Sequence, residues 1–313
     1  MGIRVLKGGM MTTVQDLGRT GYQSQGFSVS GVMDVRSFKI ANLLLDNPEN
    51  EAVLEFTLIG PTLEFTSETI ISITGGDFRP QINGKPAKMY TAIYMHRGDI
   101  LTFGGARTGT RGYIAFSSYL DVPVVMGSRS TNIKCQIGGY KGRKLEDEDY
   151  IAFRAKRRYL PYYLSRSLDL DEFDQEKITL RVVMGPQEKM FTKEGRETFL
   201  NSEYTVTSEF DRMGCRLEGP FIAYKTTSDI ISDGIAFGSV QVPSHGKPII
   251  LLADRQTTGG YAKIATVVSV DIPKLVQRKT EQKVRFQAVS VEEAQKLLAD
   301  EMKELNDFRS QIY

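Results

Sequence analysis

Short apolar runs that alternate with polar residues, cut every few positions by glycine, limit the folds open to this chain more than any other feature. Val53-Leu54-Glu55-Phe56-Thr57-Leu58 sets its acid outward and its apolar groups inward, Gly60-Pro61 turns, and Leu63-Glu64-Phe65 resumes the alternation. A period of two marks half-buried strands, and it predicts a hairpin here. Further strands are expected at 70–74, 92–94, 100–103, 112–116, 180–184, 204–207, 249–253 and 266–270. Strands so spaced belong to barrels and sandwiches, so the expected fold is mainly β.

Helices are few, and each has a reason to start. Asp34 can cap a helix carrying Val35, Phe38, Ala41 and Leu45 on one face, ended by Asn47-Pro48, because a carboxylate accepts the unpaired N–H groups of a first turn. Pro186 is expected to open another, running to about Leu200. Ser290 with Glu293 forms a capping-box pattern ahead of Ala294, Leu297, Leu298, Met302, Leu305 and Phe308, a helical apolar stripe expected to cover one end of a barrel.

At 313 residues the chain has room for two domains. The clearest composition shift lies at 150–177, where Arg154-Ala155-Lys156-Arg157-Arg158 and Pro161-Tyr162-Tyr163 give way to Asp169-Leu170-Asp171-Glu172. It reads as a linker, with the division expected near 1–160 and 161–313 and strands free to exchange between halves. Leu58-Ile59-Gly60-Pro61 is echoed by Leu217-Glu218-Gly219-Pro220, which suits two related barrels.

Charge excludes several functions. The 40 basic residues nearly cancel the 38 acidic ones, so no long-range field gathers nucleic acid or an anionic membrane. The N-terminus lacks the pattern of a signal peptide and no long apolar run follows; a soluble, cytoplasmic protein is expected. Cys135 and Cys215 form no C-x-x-C pair and are expected to be buried, reduced thiols.

Familiar catalytic patterns are absent: His96 and His245 form no H-E-x-x-H, and no G-x-S-x-G precedes a helix. No metal site is expected. The segment 104–112, GGARTGTRG, lacks P-loop order, which leaves a hairpin turn or an anion loop. Ala87-Lys88-Met89-Tyr90 only superficially resembles a biotin-bearing Met-Lys-Met hairpin, so no covalent biotin is expected on this chain.

Three polar clusters remain. The strand near 249–252 delivers Asp254, Arg255, Gln256, Thr257 and Thr258 together, followed by Gly259-Gly260; this is either a binding site or a solvated turn in which Asp254 and Arg255 pair. In Asp211-Arg212-Met213-Gly214-Cys215-Arg216, the arginines either hold a carboxylate or carbonyl or form surface salt bridges. Gly127-Ser128-Arg129-Ser130-Thr131 sets hydroxyls around one arginine, as an anion site or a plain loop.

Six stretches, in order along nearly the whole chain, carry a family resemblance: TTVQDLGRTGYQSQGFSVSGVMD (12–34), LEFTLIGPTLEF (54–65), ITGGDFRPQING (73–84), the 111–131 run, DRMGCRLEGP (211–220) and the 232–261 run. Together they resemble the allophanate hydrolase subunit 2 family, found also in the carboxyltransferase half of urea carboxylase and in the C subunit of bacterial 5-oxoprolinase. The chain departs from the family pattern at Ser117-Ser118-Tyr119, at Cys215 and at Ala262.

The resemblance implies two cyclophilin-like β-barrels, the second with the C-terminal helix. It implies a B-type partner (subunit 1), an A-type lactam-utilising partner in some systems, and ATP-dependent opening of 5-oxoproline to glutamate with ATP shared across the complex. A carboxyltransferase acting on urea or a similar amide is the enzymatic alternative. The non-enzymatic one is an antagonist of a kinase-inhibitor-like subunit 1 homologue. On the small-amide reading, the residues expected to carry catalysis are Asp254, as base or orienting carboxylate, with Arg212 and Arg255. Those expected to bind substrate are Asp211, Arg216, Gln241, Gln256, Thr257, Gly259, Gly260, Tyr261 and Arg129.

Overall fold

A computed structural model describes residues 1–156, 159–170 and 173–312. Its contacts divide into two units: Met1–Thr20 with Ser30–Asp174 and the chain from Glu304 onward, and Gly21–Val29 with Gln175–Lys303. The fold is mainly β, with few helices.

In chain order the first unit's strands are β1 (Gly2–Lys7), β2 (Met11–Gln15), β3 (Val53–Thr57), β4 (Thr62–Phe65), β5 (Thr69–Gly75), β6 (Gln81–Ile82), β7 (Lys85–Pro86), β8 (Ala92–Met95), β9 (Ile100–Thr102), β10 (Arg111–Phe116) and β11 (Tyr150–Ala152). They form two open sheets, ordered β11-β1-β4-β9-β6-β7 and β2-β3-β10-β5-β8, where the resemblance implied a barrel. Ile3, Val5, Leu63 and Phe65 of one sheet share a core with Leu54, Phe56, Ile71 and Ile114 of the other. Helix α1 (Val35–Leu44) covers the second sheet's outer face, where Phe38, Ala41 and Leu45 meet Val53, Ile70 and Tyr113. Asp34 caps it as expected, its Oδ1 accepting the Ser37 N–H at 2.9 Å.

Two expectations fail for one reason. β3 pairs with β2 and β10, and β4 with β1 and β9, so Gly60-Pro61 passes the chain from one sheet to the other and makes no hairpin. Loop 104–112 likewise joins β9 to β10 across sheets and is no hairpin turn. Glu55, expected to face solvent, is 2% exposed, because α1 covers that face. Its Oε2 accepts the Tyr113 hydroxyl at 2.9 Å and the Met33 N–H at 2.8 Å. Burial, with Glu55 and Asp34 nearby, pushes the Tyr113 hydroxyl well above its ordinary pKa.

The expected linker belongs to the first unit as far as Asp174 and to the second from Gln175. Leu160 joins the cluster under α1, and Leu168 packs with Ile40, Leu44 and Tyr90. Arg157, Arg158, Asp171 and Glu172 lie outside the described residues.

The second unit contains a closed seven-stranded barrel. Its strands are β12 (Lys177–Met184), β13 (Glu203–Phe210), β14 (Gly214–Glu218), β15 (Asp229–Gly234), β16 (Ser239–Gln241), β17 (Ile249–Leu251), β18 (Thr258–Tyr261), β19 (Lys263–Val267) and β20 (Lys283–Ala288). The barrel runs β12-β19-β16-β17-β14-β13-β20, and β15 with β18 forms a separate two-stranded ribbon. The parallel β12–β20 pair closes the ring. Alternation places Ile178, Leu180, Val284 and Phe286 in the interior. Helix α2 (Lys193–Asn201) stacks Phe199 on Phe286 at 4.4 Å.

Pro186 does not open that helix. A short turn at Glu188–Met190 intervenes, and Thr192 is the cap, its Oγ1 accepting the Gly195 N–H at 2.9 Å. The expected 266–270 strand stops at Val267, and α3 (Ile272–Val276) follows unforeseen. Helix α4 (Val291–Ile312) begins at Ser290 as predicted, with Glu293 N–H on Ser290 Oγ at 3.1 Å. It is not a barrel lid. Leu298 and Met302 are exposed, while Leu305 and Ile312 pack with Ile40 and Leu44 of α1. Cys215 is buried as expected; Cys135, on a turn, is exposed and corrects that expectation. No described helix is long and apolar enough to cross a membrane.

Candidate functional site

The tight turn between β13 and β14 sets the geometry. Asp211 Oδ1 accepts the N–H groups of Met213 at 2.7 Å and Gly214 at 3.1 Å, a local turn that a short carboxylate favours. The turn aims Arg212 at the chain leaving β17. Arg212 Nε donates to Asp254 Oδ2 at 2.9 Å and its Nη2 to Oδ1 at 3.2 Å, with both side chains about one-tenth exposed (12% and 11%). Asp254 N–H returns a bond to Arg212 O at 2.7 Å. Asp254 therefore pairs with Arg212, where the solvated-turn reading had it pairing with Arg255.

Arg255 turns inward. Its Nε and Nη1 donate to the carbonyls of Ile235 and Leu252 at 3.1 and 3.2 Å, and the guanidinium lies over the Phe237 ring. Desolvation lowers its pKa from the ordinary arginine value.

Beside this turn is a cleft of about 560 Å³. Asp211, Arg216, Gln241, Gln256, Gly259, Gly260 and Tyr261 line it, so seven residues chosen from sequence share one cleft. Arg212, Arg255, Asp254 and Thr257 do not line it. Arg129 belongs to the first unit, where Asp16 holds its backbone N–H at 2.6 Å and also accepts the Ser128 and Ser130 hydroxyls. Within the cleft wall, Gln241 Nε2 donates to Tyr261 O at 3.3 Å. A Cβ on Gly259 would lie 2.8 Å from that Nε2 and 2.7 Å from Ile235 Cδ1, so a larger residue there would push these two side-chain ends aside. Arg216 pairs with Glu209 at 2.9 Å, both well exposed, the surface salt bridge weighed above.

Sequence reasoning missed Glu209, Phe210 and Met213 in the cleft wall. It also missed Lys263, whose side chain is 5% exposed and whose Nζ donates to Asp233 Oδ2 at 2.7 Å and Gly234 O at 3.1 Å. That bond holds the Asp233 carboxyl below its usual range. The available signal was a lysine opening an otherwise apolar strand. Among the described residues no group of three His, Cys, Asp or Glu is placed to hold a metal ion. A cleft of amides, a phenol and a few charges suits hydrogen bonding to a small polar molecule more than burial of an apolar one.

A family model described as carboxyltransferase domain, subdomain A and B, matches residues 25–288. The chain is 33% identical over 308 residues to the 5-oxoprolinase C subunit of Escherichia coli, covering 96% of each chain. It is 34% identical over 285 residues to the protein of the same name in Haemophilus influenzae, covering 91% of this chain and 90% of that one. The crystal structure of the K. lactis urea amidolyase matches with a TM-score of 0.90 at 29% identity, over 98% of this chain and 20% of that one.

Proposed function

The chain belongs to the carboxyltransferase-domain family of subdomains A and B, and from that membership we propose that it is the C subunit of an ATP-dependent 5-oxoprolinase. It acts with a B-type subunit, and an A-type lactam-utilising subunit joins them. The observation that carries this reading is the near end-to-end correspondence with two 5-oxoprolinase C subunits. The polar cleft, of a size for a small amide, supports it. On the same reading, the two open sheets and the closed barrel are both of cyclophilin-like type.

A lactam resists attack because its nitrogen shares electrons with the carbonyl. ATP, the second substrate, supplies the phosphoryl group that turns the lactam oxygen into a leaving group. One water then opens the ring, with the nitrogen leaving as the amine, and a second releases phosphate to give glutamate. Gln241, Gln256 and Tyr261 hold the amide edge, Arg216 faces the developing charge, and the glycine wall admits the ring. The Arg212–Asp254 clasp and Arg255 fix the turn and strand end that present Asp211 and Gln256.

The urea amidolyase correspondence favours one second reading, a carboxyltransferase subunit for urea or a similar amide. Reconstitution with a B-type partner, ATP and 5-oxoproline separates the two. The proposal expects glutamate and ADP to form together. Absence of glutamate, with carboxylation of urea when a biotin carboxylase is supplied, would establish the second reading instead.

A further inference from the structure

Three stretches that the lactam chemistry does not use converge on a cavity of about 570 Å³ in the first unit. The 73–84 motif supplies Asp77 and Arg79, the 87–90 segment supplies Lys88 and Tyr90, and loop 104–112 supplies Arg107 and Thr108.

The polar side is organised by one carboxylate. Asp77 Oδ1 accepts the Arg79 N–H at 2.8 Å, Oδ2 accepts Arg107 Nε at 2.7 Å, and the Arg107 N–H closes onto Asp77 O at 2.7 Å. The Arg79 guanidinium is held by Gly105 O, which accepts from Nε and Nη2 at 3.1 Å each. A Cβ on Gly76 would lie 2.6 Å from Thr108 O, so the two loops meet backbone to backbone. Arg79 and Tyr90 both hold positive φ, 47° and 53°. That conformation is disfavoured for bulky residues and collects at binding sites.

The cations Arg79, Lys88 and Arg107 outnumber Asp77 and Asp169 among the described lining residues. One cation is enough for a carboxylate. A phosphate monoester carries nearly two charges and three acceptor oxygens, which suits a group of three cationic side chains. Met89, Tyr90, Leu168 and Phe173 add apolar surface to the same lining. We propose that this cavity binds a phosphorylated small molecule, with the phosphate on Arg79, Arg107 and Lys88 and an apolar or aromatic body against Tyr90 and Phe173.

The test is calorimetry on the full chain with AMP, with inorganic phosphate, and with benzoate as a carboxylate on an aromatic ring. AMP is expected to bind, phosphate more weakly, and benzoate at least about tenfold more weakly than AMP. Arg79→Ala and Arg107→Ala should each weaken AMP roughly tenfold, the loss expected for a charge-assisted hydrogen bond. Lys88→Glu should do the same without touching the Asp77 bonds, and circular dichroism confirms that each variant is folded. No heat with AMP, unchanged AMP affinity in Lys88→Glu and the arginine variants, or benzoate as tight as AMP overturns the proposal. These residues are separate from the cleft beside Asp211, so glutamate formation by the complex is scored independently and either reading can fail alone.

Discussion

Arg212 and Asp254, 42 positions apart, clasp each other through two hydrogen bonds and bind the β13–β14 turn to the end of β17. A paired carboxylate of this kind orients its neighbours. Asp254→Asn keeps an acceptor for Arg212 but loses the charge, so the variant should fold with a modest loss, roughly 1–2 kcal/mol. Activity of the reconstituted complex should fall about tenfold or more. Circular dichroism with a glutamate assay checks both. A folded variant with wild-type turnover would reduce Asp254 to a structural tie.

Tyr113 donates to Glu55 and accepts the Asp34 N–H at 2.8 Å, all within a buried layer under α1. Tyr113→Phe takes one donor from a buried carboxylate and the acceptor from a buried N–H. Such losses destabilise by about 1–3 kcal/mol each. Urea unfolding should show a lower midpoint with little change in slope. An unchanged midpoint would mean that water replaces the hydroxyl.

Asp271 is fully buried. Burial alone would raise its carboxyl, but Arg181, at 2.8 and 2.6 Å, and Lys274, at 2.8 Å, outweigh it and hold it below the usual range. A folded pKa below the unfolded value of about 3.9 gives stability that is present at higher pH and lost as pH falls through the folded value. Asp271→Asn should therefore be less stable by ~3 kcal/mol at neutral pH. The gap should narrow as pH falls below the unfolded value and through the lower folded one. Urea midpoints across that range would reveal a constant gap if the ion pairs contribute nothing.

Much of this was legible because it is local. The period of two located β3 and β4, while β1, β2, β16 and β20 went unforeseen, and Asp34 and Ser290 marked their helices through bonds three residues away. The echo of Gly60-Pro61 and Gly219-Pro220 also has a physical basis: a Cβ on Gly60 would strike the Phe103 ring and one on Gly219 the Tyr204 ring, so each glycine lies under an aromatic. What failed depends on partners distant in sequence. The burial of Glu55 follows from Met33, just before α1, and Tyr113 of β10, both bonded to its carboxylate, and the false hairpin from β3 and β4 entering different sheets. At the candidate site, polar residues at strand ends were visible as a group, and seven of them do share a cleft. Their division of labour was not, since nothing local marks Arg212 as the partner of Asp254, or Arg255 as a ligand of two backbone carbonyls.

The isolated chain should not open 5-oxoproline, and addition of its B-type partner should restore activity. The cleft beside Asp211 offers amides, a phenol and one exposed arginine already shared with Glu209, groups that recognise a polar molecule. The two arginines next to it are committed, Arg212 to Asp254 and Arg255 to the carbonyls of Ile235 and Leu252. Stabilising phosphoryl transfer takes several cationic donors aimed at one group, and this cleft contributes few. A recognition surface of this composition is what one partner of a shared active site would provide. The measurement is ATP hydrolysis and glutamate formation by the chain alone, by the partner alone and by the mixture, each with and without 5-oxoproline. The mixture should exceed the sum of the separate rates by at least about a hundredfold, the scale on which positioned catalytic groups act. Hydrolysis by the lone chain as fast as by the mixture would overturn the shared-site reading and place the whole reaction within these 313 residues.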